Sequence, residues 1–212
     1  MKVKKMVTLA MLAAMAYLLV CAVRIPVVLF LKYEPKDVVI TVGGFMFGPM
    51  ASMIVSLVVS LVEMFTISET GPVGCLMNLL STCAYACTAA VVYKKNRTLT
   101  GAVTGLCLGA VVMTVAMLLW NWLITPLYMG MERQAVEALL IPAFLPFNLL
   151  KAGLNTALTL ALYKPLVTAL RKVRLLETQE QNAGTSRVGV YLLAAALLTT
   201  CILLLLVFHS KL

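Results

Sequence analysis

Residues 99–124 read LTGAVTGLCLGAVVMTVAMLLWNWLI, an apolar run that contains no charged side chain. About 20 consecutive apolar residues are enough for a helix to cross the hydrocarbon core of a bilayer. The rest of the chain is similar, since 62% of its 212 residues are hydrophobic, 12% are charged and the mean hydropathy is +1.02. The sequence therefore predicts an all-α polytopic membrane protein, because a backbone surrounded by lipid must satisfy its hydrogen bonds within its own helices.

The polar interruptions between the apolar runs predict three segments. Residues 1–172 are predicted to form a six-helix membrane domain, residues 173–187 a polar cytoplasmic connector, and residues 188–212 an additional C-terminal transmembrane helix. Prolines and polar residues predict outer loops over residues 24–37 and 125–137. The six helices are expected over residues 7–23, 38–47 (a short helix ended by Gly48-Pro49), 50–65, 75–93, 99–124, and from Pro142 or Pro146 to 170.

Basic residues predict the orientation of the helices. The chain has a net charge of +9, and most of its 17 Lys and Arg residues fall at one set of helix ends. Loops rich in Lys and Arg stay in the cytoplasm, so the N-terminus is predicted to be cytoplasmic and the loops around Tyr33 and Tyr128 to be outside. This topology explains the positive charge without a nucleic-acid partner. The cytoplasmic set comprises Lys2, Lys4, Lys5, Lys94, Lys95, Arg97, Lys164, Arg171, Lys172, Arg174 and Arg187.

The sixth predicted helix carries polar side chains inside lipid-soluble sequence. Residues 146–155 read PFNLLKAGLN, in which Asn148 and Lys151 are one turn apart on a shared helix face and Asn155 continues that face. A charged side chain at membrane depth costs roughly 3 kcal/mol on insertion scales, so Lys151 indicates a functional site. The alternative is that Lys151 extends its ammonium to the membrane interface.

Polar residues of four helices are predicted to lie at one depth. Under the proposed orientation, Glu63, Asn78, Asn121, Asn148 and Lys151 all fall in the outer half of their helices. A common depth favours one shared cavity. Scattered interhelical hydrogen bonds are the alternative.

The residues for catalysis or metal binding are few. The only histidine is His209, the six cysteines form no CxxC motif, and there is no GxxxxGK[ST] loop for ATP. The single carboxylate within the predicted spans, Glu63, is too little for a proton relay. We therefore expect no enzyme activity, metal or cofactor, but a binder of a hydrogen-bonding, neutral or weakly charged molecule that draws its energy from elsewhere.

The first helix carries a motif for helix packing. Ala10 and Ala14 are four residues apart, and small residues at this spacing allow another helix to approach closely. They are predicted to form a partner interface. Packing within the same chain is the alternative.

Together these residues resemble the riboflavin-specific, substrate-binding S components of the energy-coupling-factor (ECF) family of vitamin transporters. The resemblance covers about residues 5–172. Its features are the short second helix, the Ala10 and Ala14 pair, residues 31–37, Gly48-Pro49, Asn121 with residues 125–128, and Pro146-Phe147-Asn148 with Lys151 and Asn155.

The resemblance implies a protein of the bacterial cell membrane that takes up riboflavin as transported ligand. It also implies a membrane scaffold subunit and two cytoplasmic ATPases as partners, with Ala10 and Ala14 against the scaffold. The predicted seventh helix departs from the usual six of the family.

The same resemblance suggests ligand-binding residues. Asn121, Asn148 and Lys151 would contact the isoalloxazine ring or the ribityl chain, since amides and amines match its donors and acceptors. Asn78 and Glu63 would contact the ligand or hold Lys151. The ligand would be capped by Tyr33 and Asp37 from the first outer loop and Tyr128 from the second.

Other functions remain compatible with the sequence. The chain could be an S component for another vitamin or for the phosphorylated flavin FMN, since basic residues of the outer loops could attract a phosphate. It could also be a structural membrane protein without a ligand, or a proton-coupled carrier. The basic residues in question are Arg24, Lys32, Lys36 and Arg133.

Overall fold

The computed structural model describes residues 2–28, 31–172 and 194–201, and these residues are predominantly helical. The chain begins with α1 (Lys2–Ala22), a hairpin of β1 (Ile25–Val28) and β2 (Leu31–Tyr33), α2 (Lys36–Phe47) and α3 (Pro49–Thr66). The next helix, α4, consists of Gly71–Thr82, a π-helical turn at Cys83–Cys87 and Thr88–Lys95. It is followed by α5 (Leu99–Met129). Last is α6, which joins Arg133–Leu139, a second π-helical turn at Leu140–Phe144 and Leu145–Lys172.

The predicted all-α membrane fold is confirmed. Among the described residues, five helices are long and apolar enough to span a membrane, namely α1, α3, α4, α5 and α6. With 12 residues, α2 is shorter than a full span. Of the predicted seventh span, residues 194–201 are helical; its other residues and the connector 173–187 lie outside the described part of the chain.

The segment predicted as the first outer loop contains a folded hairpin, which was not predicted from the sequence. β1 and β2 pair antiparallel, with Ile25 opposite Tyr33 and Pro26 opposite Lys32. The β-branched residues around Pro26 favour a strand, and proline is tolerated in a strand that has an open edge. The hairpin packs on α6 through apolar residues of both elements. The contact includes Val27, Val28, Leu31 and Tyr33 on the hairpin and Phe144, Phe147, Leu150 and Leu154 on α6.

The helices α4 and α5 approach each other so closely that their backbones touch. A Cβ atom added at Gly105 would lie 2.8 Å from the carbonyl oxygen of Ala89, and one at Gly109 would lie 2.6 Å from that of Tyr85. Glycines four residues apart permit this approach in membrane helices. The contact fixes α4 beside α5.

Two predicted helix boundaries were wrong because prolines do not end the helices here. The sixth helix starts at Arg133 rather than at Pro142 or Pro146, and Pro142 lies inside its π-helical turn. In a regular α-helix the proline ring clashes with the carbonyl four residues earlier, and local π-helical geometry relieves such clashes in membrane helices. Likewise α5 continues through Pro126 to Met129 and ends at Gly130, whose φ of 64° suits a left-handed residue. Tyr128 therefore lies on a helix rather than on a loop.

Candidate functional site

A cavity lies between the hairpin and the parts of α4, α5 and α6 that are nearest to it. Four of the five polar residues that the sequence analysis placed at a common depth line this cavity. They are Asn78, Asn121, Asn148 and Lys151, and the other lining residues are Leu31, Lys32, Met77, Ser81, Met117 and Phe147. The structure thus brings together amides from three helices and one ammonium, and their role as ligand contacts stays a prediction.

The Lys151 ammonium is held in a buried ion pair. Its Nζ lies 3.3 Å from Asp37 Oδ2 and donates to Ser81 Oγ at 3.1 Å. Asp37 also accepts hydrogen bonds from Thr82 Oγ1 at 2.6 Å and from Asn155 Nδ2 at 3.1 Å. With 7% of its surface exposed, Lys151 does not extend to the interface. A charge at this depth is tolerated because it is paired and hydrogen-bonded.

Tyr33 and Asp37 were expected to cap the cavity from a loop, and the structure places them elsewhere. Asp37 belongs to the first turn of α2 and is fully buried behind Lys151. Tyr33 is also buried, and its hydroxyl donates to Asn155 Oδ1 at 3.1 Å. Neither residue is among those that line the cavity: Asp37 contacts Lys151 and Asn155, and Tyr33 contacts Asn155. Leu31 and Lys32 are the hairpin residues that reach it.

Glu63 holds Lys36 rather than Lys151. The buried Nζ of Lys36 lies 2.6 Å from both carboxylate oxygens of Glu63 and 2.8 Å from Glu34 Oε2. Glu34 in turn pairs with Arg24 Nε at 2.8 Å, and Asn78 Nδ2 donates to Glu63 Oε2 at 2.9 Å. We call Arg24, Glu34, Lys36 and Glu63 the ion network. It ties the hairpin to α2 and α3 beside the cavity.

The pKa of Glu34 reflects the charges that surround it in the ion network. Burial by itself would raise the pKa of this carboxyl group. The adjacent Lys36 ammonium, together with hydrogen bonds from Lys36 and Arg24, outweighs burial and holds the pKa below its usual value. Glu34 is therefore ionised at neutral pH and offsets the positive charge around it.

The buried positions of Glu34 and Lys36 were missed by the sequence analysis. Both residues were predicted to lie in the first outer loop, because their neighbours are polar and include Pro35. One signal was available: a carboxylate such as Glu63 inside an apolar helix requires a cationic partner. Lys36 is one of the few basic residues on the side of the membrane where Glu63 is predicted to lie.

The four basic residues that suggested phosphate attraction are engaged with other groups. Arg24 and Lys36 belong to the ion network, and Lys32 binds both oxygens of Glu69 at 2.7 and 2.8 Å. The Arg133 guanidinium lies 5.3 Å from the centre of the Trp122 ring. These contacts remove the argument that the outer basic residues would favour a phosphorylated ligand.

The asparagine side chains in the cavity are oriented by their own helices. The amide nitrogen of Asn121 donates to Met117 O at 2.7 Å, and that of Asn148 donates to Phe144 O at 2.8 Å. Asn121 Oδ1 accepts from Thr125 at 3.0 Å. Among the described residues, the amide oxygen of Asn148 accepts no hydrogen bond, which makes it an available acceptor on the cavity wall.

Tyr128 lies at a second, neighbouring cavity. This cavity is between the start of α4 and the end of α5, and it shares Met77 with the first. Its other lining residues are Thr70, Val73, Gly74, Trp120, Ile124, Thr125 and Tyr128. Tyr128 therefore does not line the first cavity, and Met77 contributes to the walls of both.

The predicted partner surface on α1 points out of the bundle. Ala10 and Ala14 are exposed, and so are Val3, Val7 and Leu18 on the same face. By contrast, Ala13 and Ala16 are buried in a cluster with α2 and α3. Packing within the chain thus explains the latter two alanines but not Ala10 and Ala14. We call the face of Val3, Val7, Ala10, Ala14 and Leu18 the outer face of α1.

Comparisons with known proteins agree with this architecture. A family model described as the substrate-specific component of ECF transporters matches residues 4–163. The riboflavin transporter RibU of Staphylococcus aureus (strain TCH60) is 28% identical over 179 residues, which are 80% of this chain and 94% of that protein. The riboflavin transporter FmnP of Bacillus subtilis (strain 168) is 27% identical over 163 residues, which are 71% of this chain and 85% of that protein.

A solved structure supports the same relationship. This structure, described as the S component of a bacterial ECF transporter, superimposes with a TM-score of 0.68 at 29% sequence identity. The match covers 81% of this chain and 99% of the other.

Proposed function

Because the chain belongs to the family of substrate-specific S components of ECF transporters, we propose that it binds riboflavin in the cavity between the hairpin and α4–α6. The observation that carries this proposal is the cavity wall, in which three asparagines, two lysines and one serine stand among apolar side chains. One edge of the isoalloxazine ring alternates hydrogen-bond acceptors and a donor, and amides offer both. The names of the two curated relatives support the choice of riboflavin.

The site residues take different roles in this proposal. Asn121, Asn148, Lys151 and Asn78 contact the flavin or its ribityl chain. Asp37 and Tyr33 position Lys151 and Asn155 from behind, and Glu63 orients Asn78 through their 2.9 Å hydrogen bond. Tyr128 contacts a part of the ligand that extends past Met77 into the second cavity.

Uptake requires energy that this chain does not supply, since its sequence has no P-loop for ATP. In our proposal a membrane scaffold subunit and two cytoplasmic ATPases drive inward release, as the family implies. The outer face of α1 binds the scaffold through Ala10 and Ala14. The chain itself is a transport component of the bacterial cell membrane with its N-terminus in the cytoplasm, and it catalyses no reaction.

Optical spectroscopy of the purified protein tests the choice of ligand. Protein from cells grown with riboflavin is expected to be yellow and to carry one flavin per chain, and ligand-free protein is expected to quench flavin fluorescence on titration. Colourless protein that does not respond to riboflavin would reject riboflavin as the ligand. The family membership would stand, and other vitamins would then be titrated in the same way.

Two substitutions test the cavity. Lys151→Ala and Asn148→Ala are each expected to weaken riboflavin binding at least about tenfold, or about 1.4 kcal/mol, because each removes a polar group from the cavity wall. The measurement is a fluorescence titration of purified protein whose thermal unfolding has been checked. Unchanged affinity in both variants would rule out this cavity as the site.

The matched controls are Lys94→Ala and Asn96→Ala. Both residues are exposed on the predicted cytoplasmic side, and neither lines the cavity. They are expected to bind riboflavin as the unmodified protein does. Asn148→Ala has the further advantage that it leaves no buried charge unpaired, whereas Lys151→Ala removes the partner of Asp37.

A further inference from the structure

The helical segment of residues 194–201 has one buried face. Ala194 is 2% exposed, Cys201 is 6% exposed, and Leu198 between them packs against a buried cluster. Residues at this spacing share one face of a helix. The exposed residues of the segment are Ala195, Ala196, Thr199 and Thr200. The segment therefore packs against the rest of the bundle along one side.

The segment meets α6 at Gly153. A Cβ atom added at Gly153 would lie 2.8 Å from the sulfur of Cys201, which is closer than Cβ atoms normally pack. The absence of a side chain at position 153 thus makes room for this sulfur. Two residues separate Gly153 from Lys151 and from Asn155, and two residues of an α-helix turn by about 200°. As a result, α6 presents Lys151 and Asn155 to Asp37 on one side and Gly153 to Cys201 on the other.

Buried side chains connect Cys201 with the cavity wall. Cys201 belongs to the same buried cluster as Leu31 and Tyr33 of the hairpin and Phe147 and Leu154 of α6. Of these residues, Leu31 and Phe147 line the cavity. A densely packed interior transmits a displacement from one side chain to the next. A displacement of Cys201 is therefore expected to move the part of the wall that Leu31 and Phe147 form.

The family relationship assigns no role to segment 194–201. The family model matches residues 4–163, so the segment lies beyond the matched region. A helix that only held the chain in lipid would need no closely packed face. Close packing of membrane helices depends on small residues at the contact, and Gly153, Ala194 and Cys201 are all small. The contact is thus that of a helix built into the bundle.

We propose that segment 194–201 is a positioning element of the ligand site, which packs behind α6 with Cys201 against Gly153 and holds α6 in place beside the hairpin. Asn148 and Lys151 of α6 thereby keep their positions in the cavity wall. The proposal rests on the proposed function, because the effect is defined on riboflavin binding. Gly153 and Cys201 do not line the cavity, so both act through α6 rather than by touching the ligand.

An engineered disulfide tests the packing in the full chain. Gly153→Cys places a second thiol beside Cys201, and bridged cysteines have Cβ atoms about 3.5–4.5 Å apart. Mild oxidation is expected to bridge the two thiols, as detected by mass spectrometry after alkylation of the remaining free cysteines. The matched control Gly153→Cys/Cys201→Ser should form no bridge at position 153. Absence of the bridge in folded Gly153→Cys would overturn the proposal.

Cys201→Leu and Thr199→Leu test the effect on the site. Leucine at position 201 overfills the contact with Gly153, so riboflavin is expected to bind at least about fivefold more weakly, measured by fluorescence titration. Thr199 is exposed, and its hydroxyl donates to Ala195 O at 3.0 Å and Ala196 O at 2.9 Å within its own helix. Thr199→Leu should therefore bind riboflavin as the unmodified protein does. Equal affinities in the two variants, whether unchanged or weakened alike, would overturn the proposal.

A milder pair keeps the proposal testable if Cys201→Leu does not fold. Gly153→Ala adds one methyl group at the contact, and alanine is a better helix former than glycine. A positioning role predicts that Gly153→Ala binds riboflavin about two- to threefold more weakly, because the methyl group displaces the sulfur. Gly153→Ala/Cys201→Ala, which lacks this sulfur, should recover the affinity. A merely structural role predicts neither the loss nor the recovery, and unchanged affinity in Gly153→Ala would contradict the proposal.

The outcomes separate this proposal from the proposed function. If the unmodified protein binds riboflavin and the variants at positions 153 and 201 bind it equally well, the positioning role is overturned and the proposed function stands. Failure of the unmodified protein to bind riboflavin would reject the proposed function and, with it, a role in riboflavin binding. The disulfide would in that case still report whether the segment packs on α6, because its formation requires no ligand.

Discussion

Lys36→Met is expected to lower the free energy of unfolding by about 3–5 kcal/mol, the usual cost of removing one partner from a buried ion pair. Lys36 is 1% exposed, and its Nζ bridges Glu34 at 2.8 Å and Glu63 at 2.6 Å. Methionine has a similar length but no charge, so among the described residues the variant leaves the buried Glu63 with the amide of Asn78 as its remaining partner. Thermal and denaturant unfolding of the detergent-purified protein would measure the loss.

Two further variants show whether the loss comes from the ion network. Lys32→Met makes the same substitution at a pair whose Glu69 side chain is 72% exposed, and it should cost far less stability, because exposed ion pairs are weak. The double variant Lys36→Met/Glu63→Gln retains the Arg24–Glu34 pair and removes the orphaned carboxylate. It should recover most of the stability, because removing a buried pair as a whole is often close to neutral. Equal losses in Lys36→Met and Lys32→Met would contradict the prediction.

Ala14→Trp is expected to abolish riboflavin uptake while leaving riboflavin binding intact. Ala14 is exposed on the outer face of α1, on a different side of the bundle from the cavity-lining residues of α4, α5 and α6. A tryptophan there would keep another helix from approaching closely, which small residues otherwise permit. Uptake would be measured in cells that contain the scaffold and ATPase subunits, and binding with the purified variant.

A tryptophan elsewhere on the surface controls for this substitution. Val111 on α5 is 60% exposed and lies on none of the surfaces assigned here, so Val111→Trp should retain both uptake and binding. Normal uptake by Ala14→Trp would show that the outer face of α1 is not the surface that binds the scaffold. Loss of uptake in both variants would point to a general effect of bulk at the lipid-facing surface.

The sequence predicts which polar residues lie at the same depth along their helices, and this part of the cavity's arrangement could be predicted. Helix boundaries and the distribution of basic residues are enough to place Asn78, Asn121, Asn148 and Lys151 at one level. Residues at one depth on several helices come together if the helix faces that carry them point to the interior of the bundle. The structure shows such a meeting for these four residues.

The polar residues before α2 could not be placed in the same way. Polar sequence around a proline favours an exposed loop, and no local pattern in Glu34, Lys36 and Asp37 indicates burial. Their burial is decided by distant partners, namely Glu63 on α3 for Lys36, and Lys151 and Asn155 on α6 for Asp37. Such pairing is a tertiary property, and the short-range composition from which loops are predicted does not contain it.

Local sequence rules also could not predict that the helices continue through Pro126 and Pro142. Proline predicts a helix boundary because it lacks the N–H group and clashes with the preceding turn. In membrane helices neighbouring side chains and local π-helical geometry can satisfy the freed carbonyl groups instead. Whether they do depends on packing, and near Pro142 the side chain of Phe144 belongs to the same buried cluster as the hairpin residues Leu31 and Tyr33.

The π-helical turns bear on how this chain should be aligned with its relatives. Each turn holds one residue more than an α-helical turn, so residues before and after it are offset by about 100° relative to an unbroken helix. In α4 the turn Cys83–Cys87 lies between Asn78 and Tyr93, and in α6 the turn Leu140–Phe144 precedes Asn148. A relative without the extra residue requires a one-residue gap inside the turn. An alignment that omits this gap would match Asn78 with a neighbour on another face, although every helix boundary would still appear correct.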